Sequence, residues 1–113
     1  NLWATWCTPC KAEMPTLAAL AARSDPEKLV IAAISVDNAE RTQAAKDFIA
    51  GFAAKNFSFY QDPTSNLVFA AGAEGMPTSI LYDREGKEIA RLAGAADWSS
   101  PDAKAFLDAA QLP

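Results

Sequence analysis

Trp6-Cys7-Thr8-Pro9-Cys10-Lys11-Ala12-Glu13-Met14-Pro15 decides the reading of this chain. It holds both cysteines of the 113 residues, two positions apart, after the apolar run Leu2-Trp3-Ala4 and before an amphipathic segment. That layout predicts strand, tight turn, then helix from Cys7 to about Arg23, with Pro15 bending the helix from inside. A cysteine at a helix N-terminus faces unpaired backbone N–H groups and the positive end of the macrodipole, which stabilise its thiolate. Cys7 is therefore the candidate nucleophile. Cys10, one turn further in, is close enough to close a disulfide and has fewer groups to stabilise an anion, which suits a resolving thiol. A purely structural disulfide across so small a loop removes little unfolded-state entropy. Half of a zinc or iron–sulfur site is the other reading, but the chain has no further Cys and no His to complete four ligands.

Working outward, Leu2 to Trp6 reads as the tail of a buried strand whose beginning is missing. The chain is therefore expected to be a trimmed fragment, upstream of which a targeting or anchoring segment could have stood. Ser24-Asp25-Pro26 ends the first helix. Leu29 to Val36 is apolar without alternation, as in a central parallel strand covered on both faces. Asp37 with Glu40 resembles a capping box opening a helix to about Lys55, whose apolar stripe is Ala45, Phe48, Ile49 and Phe52. Phe57 to Tyr60 is a short strand, and Asp62-Pro63 caps a short helix closed by Gly72. Thr78 to Tyr82 and Glu88 to Ala93 flank Asp83-Arg84-Glu85-Gly86 as an antiparallel hairpin. Ser100-Pro101 opens a last helix with Phe106 and Leu107 facing inward. This order predicts an α/β domain spanning 1–113, a central mixed sheet flanked by helices on both faces.

Composition sets the bounds. With 50% hydrophobic residues the chain can bury a core, and two cysteines are too few to staple it, so packing must hold the fold. Ten Lys and Arg against 14 Asp and Glu, a net charge of −4, argue against a nucleic-acid partner. No apolar run approaches the roughly 20 residues of a membrane span, and no signal peptide is visible, which says little about compartment in a trimmed chain.

Trp-Cys-x-Pro-Cys with a proline five residues after the second cysteine, and the later Gly75-Met76-Pro77-Thr78, resemble the thioredoxin superfamily. Cys-x-Pro-Cys-x-x-Glu-x-Pro, led in by Asn1-Leu2-Trp3-Ala4-Thr5-Trp6, is similar to its TlpA/ResA/CcmG branch of bacterial envelope reductants. The resemblance implies a thioredoxin-like fold with a truncated first strand and a helix–strand insert at about 37–62. It implies a protein-disulfide reductase of the periplasm or cell envelope, anchored to the membrane only through the missing N-terminal segment. Its substrates would be apocytochrome c or copper-site proteins, and a membrane thiol donor would restore the dithiol. No cofactor is implied beyond the redox-active Cys7–Cys10 disulfide.

Glu13 shares the helical stripe of Cys10, Leu17 and Leu20, and the matching family acid marks it as the group that moves the resolving cysteine's proton. Asn1 stands where thioredoxin has a buried acid; asparagine cannot relay protons, which leaves that task to Glu13. The resemblance makes the Met76–Pro77 bond cis, with Pro77 packed against the cysteines and Met76 an apolar substrate contact. Trp6 is expected to be partly exposed beside the site, and Trp3 and Trp98 to be core or edge residues. Thr8 and Pro9, both uncharged, lend the thiolate no extra stabilisation, which places the potential nearer the roughly −270 mV of thioredoxin than the roughly −120 mV of DsbA. Two other functions use the same cysteines. A Cu(I) carrier of similar fold generally has a wider cysteine spacing and a distant His, and a peroxiredoxin-type peroxidase needs an activating arginine that this motif lacks.

Overall fold

The computed structural model describes residues 1–52 and 54–110. Its strands are β1 Leu2–Trp3, β2 Ile31–Ser35, β3 Phe57–Gln61, β4 Thr78–Tyr82 and β5 Glu88–Ala93. Its α-helices are α1 Thr8–Ala22, α2 Thr42–Ile49, α3 Asn66–Ala70 and α4 Pro101–Ala110. The strands form one mixed sheet in the order β3-β2-β1-β4-β5. β1, β2 and β3 run parallel, while β4 is antiparallel to both β1 and β5.

The first strand ends at Trp3 because the chain turns at once. Cys7 N–H bonds to Ala4 O at 3.1 Å, closing a turn through Thr5 and Trp6, so pairing ends at Trp3 rather than at Trp6. Leu2 lies in register with Ile34 on one side and Thr78 on the other, and both β1 residues are buried. Their side chains point to opposite faces. Trp3 meets Phe48 of α2, ring centroids 5.5 Å apart. Leu2, by contrast, lines an apolar cleft with Leu17 and Leu20 of α1, Ile34 of β2 and Leu107 of α4. Helices thus cover both faces of the sheet.

Three further boundaries and one helix facing differ from the sequence reading, each for a local reason. The N–H groups of Lys28 and Leu29 bond back to Asp25 O, so β2 starts at Ile31 and Val30 is exposed. Its residues alternate between fully and partly buried, unlike a strand covered equally on both faces. Asp37 opens no capping box: its carboxylate is engaged by Thr5 and Ser35, Asn38 precedes a single 3-10 turn at Ala39–Arg41, and α2 begins only at Thr42. α2 stops at Ile49, two residues before Gly51; its expected run to about Lys55 passes over residue 53, which lies outside the described residues. Phe106 is 49% exposed while Leu107 is buried. Neighbours on a helix point about 100° apart, so only one of the two can face the sheet.

Other expectations hold. α1 is continuous through Pro15, which leaves the Lys11 carbonyl without its helical donor. Asp62 Oδ2 accepts the Leu67 N–H at 2.8 Å, and Gly72 adopts φ 66° after α3. The β4–β5 hairpin turns at Asp83, whose Oδ1 accepts the N–H groups of Glu85 and Lys87.

Candidate active site

Cys7 is the N-cap of α1, with φ −99° and ψ 101°, and its Sγ accepts the Cys10 N–H at 3.3 Å. A sulfur therefore fills the place that a Ser or Asp oxygen takes at an ordinary helix start, where orphan amides and the dipole favour negative charge. Cys7 and Cys10 are joined in a disulfide with Cα atoms 5.3 Å apart. Cys7 is 7% exposed and Cys10 is sealed at 0%, so an incoming sulfur reaches Cys7 first. Thr8 and Pro9 lie exposed between them. Trp6 is 62% exposed on the turn before Cys7.

The second half of the site arrives through the sheet. Since Thr78 of β4 pairs with Leu2 in antiparallel register, the residues before Thr78 lie alongside the end of β1 that leads to Cys7. Met76 and Pro77 sit there, joined by a cis peptide bond, with Pro77 buried and Met76 half-buried. Thr78 Oγ1 donates to Gly75 O at 2.6 Å and the Gly94 N–H to Pro77 O at 2.8 Å, fixing this segment from both sides.

Glu13 is buried, at 2% exposure, and its carboxylate gathers three donors from two parts of the chain. Oε1 accepts Asn1 Nδ2 at 3.0 Å, and Oε2 accepts both the Ala96 N–H and the Trp98 Nε1–H at 2.9 Å. Asn1 Nδ2 also donates to Ser79 Oγ at 2.8 Å. The segment bearing Ala96 and Trp98 is tied to α1 twice more, by Thr16 Oγ1 on Ala96 O and by Arg23 Nη2 on the carbonyls of Trp98 and Ser100. Glu13 is thus no solvated helix-surface charge.

A second buried acid holds the other side of the cysteine turn. Asp37 Oδ2 accepts the Thr5 N–H at 2.9 Å and Ser35 Oγ at 2.7 Å, while Oδ1 accepts Thr5 Oγ1 at 2.6 Å. Gln61 Nε2 donates to the Asp37 carbonyl. Sequence reasoning missed this cluster, along with the parts played by Asn1, Ala96 and Trp98. The one available hint was an acid directly after an apolar strand. Lys11 is exposed and places its Nζ 5.9 Å from the Phe48 ring centroid.

The profile of the redoxin family matches residues 1–107. The chain belongs to that family. It is 32% identical over 94 residues to the thiol-disulfide oxidoreductase ResA of Bacillus anthracis, covering 83% of this chain and 53% of that protein. A thiol:disulfide interchange protein DsbE homolog of Paracoccus denitrificans is 31% identical over 94 residues, 83% of this chain and 49% of the relative. The chain thus spans about half the length of the curated relatives it matches. Among solved structures, a Chlorobium tepidum protein assigned as a thiol:disulfide interchange protein DsbE superposes with TM-score 0.82 at 29% identity, over 98% of this chain and 77% of that one. StoA of Bacillus subtilis superposes with TM-score 0.71 over 95% and 76% of the two chains, and at 24% identity shows the shared thioredoxin-like fold.

Proposed function

We propose that the chain is the catalytic part of a protein-disulfide reductase of the bacterial envelope. The observation that carries this reading is the Cys7–Cys10 disulfide at the start of α1, its outer sulfur capping the helix and its inner sulfur sealed. In the reduced protein the Cys7 thiolate attacks a substrate disulfide, forming a Cys7–substrate bond and releasing one substrate thiolate. Glu13 then takes the proton of the Cys10 thiol. The Cys10 thiolate attacks Cys7 Sγ, the second substrate thiolate leaves, and the Cys7–Cys10 disulfide forms. Two electrons pass from the cysteine pair to the substrate, and no cofactor takes part.

Trp6, Thr8, Pro9 and Met76 form the surface on which substrate docks, and Pro77, expected there too, is buried beneath it and sets the backbone of Met76. Relatives named as thiol-disulfide oxidoreductases and interchange proteins support the exchange chemistry; our reading adds substrates of the apocytochrome c or copper-site kind, a membrane thiol donor that restores the dithiol, and an envelope location. Among the described residues no helix is long and apolar enough to cross a membrane. We read 1–113 as a single domain in which residues from about 37 to 62 are an insert.

The test is an insulin-reduction assay run beside Cu(I) titration and peroxide consumption. Turnover of insulin disulfides is expected, with Cys7→Ser inactive and Cys10→Ser accumulating a mixed disulfide. Full activity in Cys10→Ser would overturn the division of labour, and a potential near that of DsbA would overturn the reductant assignment.

A further inference from the structure

The Glu13 cradle holds an asymmetry. Oε2 faces a backbone amide and an indole, Ala96 N–H and Trp98 Nε1–H, and neither can ever accept a proton. A proton arriving at Glu13 must therefore settle on Oε1. The partner of Oε1 is Asn1 Nδ2, again a donor, so with the amide as it stands the new O–H would point at an N–H and be left unsatisfied in a buried site. Yet the acceptor it needs is on the same side chain. Asn1 Oδ1 is buried and has no hydrogen-bond partner.

We propose that Asn1 and Ser79 form a two-state holder for Glu13, in which the Asn1 carboxamide turns over when Glu13 is protonated. With Glu13 ionised, Nδ2 donates to Oε1 and to Ser79 Oγ, at 3.0 and 2.8 Å. A half-turn about the Cβ–Cγ axis exchanges Nδ2 and Oδ1, which are nearly the same size. Oδ1 then accepts the Oε1–H proton from one side and the Ser79 hydroxyl from the other, since a hydroxyl that accepts in the first state can rotate to donate in the second. Each state leaves one amide atom of Asn1 unpartnered, so neither is favoured until the proton decides. Asn1 relays no proton. It is a positioning residue that keeps the carboxyl group in one place in both protonation states, so Glu13 can take the Cys10 proton and give it up without breaking the Ala96 and Trp98 bonds. The holder rests on the reading of Glu13 as proton acceptor.

Side-chain NMR of the reduced protein tests it. The Asn1 Nδ2 resonances and the Glu13 carboxyl carbon should titrate with one midpoint. In Glu13→Gln, which imitates the protonated acid, the Asn1 resonances should be independent of pH and sit at the acid-side position. Asn1 signals that ignore the Glu13 titration, or that stay at the alkaline position in Glu13→Gln, overturn the holder. The mechanistic reading fails separately. If Glu13→Gln resolves the mixed disulfide at the wild-type rate, instead of roughly 100-fold slower, Glu13 moves no proton, and loss on the acid side of the nuclear Overhauser contact between the Asn1 Nδ2 hydrogens and Ser79 would still establish the two-state amide.

Discussion

Replacing Asp37 with alanine should cost more stability than removing any surface charge, and the structure shows why. The carboxylate is fully buried and accepts the Thr5 N–H, the Thr5 hydroxyl and the Ser35 hydroxyl within 2.9 Å. A hydrogen bond to a charged group contributes about 1.5–3 kcal/mol, and a buried donor left without an acceptor costs about 1–3 kcal/mol. The two hydroxyls can turn to other acceptors, but the Thr5 amide cannot. Discounting for non-additivity and for the desolvation of the carboxylate that its loss relieves gives about 3 kcal/mol net. At about 2.1 cal/mol/K per residue, 113 residues have an unfolding entropy near 0.24 kcal/mol/K, so Tm should fall by about 12 °C. Thermal unfolding by circular dichroism measures the shift, and urea unfolding at constant slope checks that the native state is what changed. Thr5 is two residues before Cys7, so the same variant should alkylate at Cys7 at a rate different from wild type even where it remains folded. Asp37→Asn keeps one acceptor oxygen and should fall between wild type and Asp37→Ala. A Tm loss below about 4 °C in Asp37→Ala would show that these bonds add little to what water offers the unfolded chain.

One further outcome follows from a buried polar contact. Trp98→Phe keeps an aromatic side chain, smaller than the indole, but removes one of the two donors to Glu13 Oε2, and should cost about 1 kcal/mol in urea unfolding while slowing release of substrate from the mixed disulfide. An unchanged release rate would confine Trp98 to packing.

The parts of this molecule that local pattern could show were those made by neighbours in sequence. The cysteine-capped helix, the hairpin at Asp83 and the short helix before Gly72 depend on spacings of a few residues, and all three are present. Where a side chain had a local and a distant partner to choose from, local reasoning failed. Asp37 could cap the turn at Glu40 or bind Thr5, 32 positions earlier, and the buried cluster took it. Trp98 carries no periodic signal at all, and its partner Glu13 is 85 residues away. The same limit applies to Phe106 and Leu107, since two adjacent apolar residues do not say which of them meets the sheet.

The two buried acids also explain how a turn with little pairing of its own can hold a reactive sulfur steady. The Cys7 N–H to Ala4 O bond is the local backbone tie across the turn. Asp37 grips the chain on the N-terminal side at Thr5, and Glu13 grips it on the C-terminal side one turn beyond Cys10, through donors brought from Asn1 and the Ala96–Trp98 segment. In the disulfide form the hydrogen bonds of both carboxylates go to nitrogen and hydroxyl donors. In the proposed mechanism the cysteines exchange partners while both flanks stay fixed, and only the inner grip changes its protonation state. On that proposal an apolar clamp at position 13 could still hold the helix but would leave the Cys10 proton with nowhere to go.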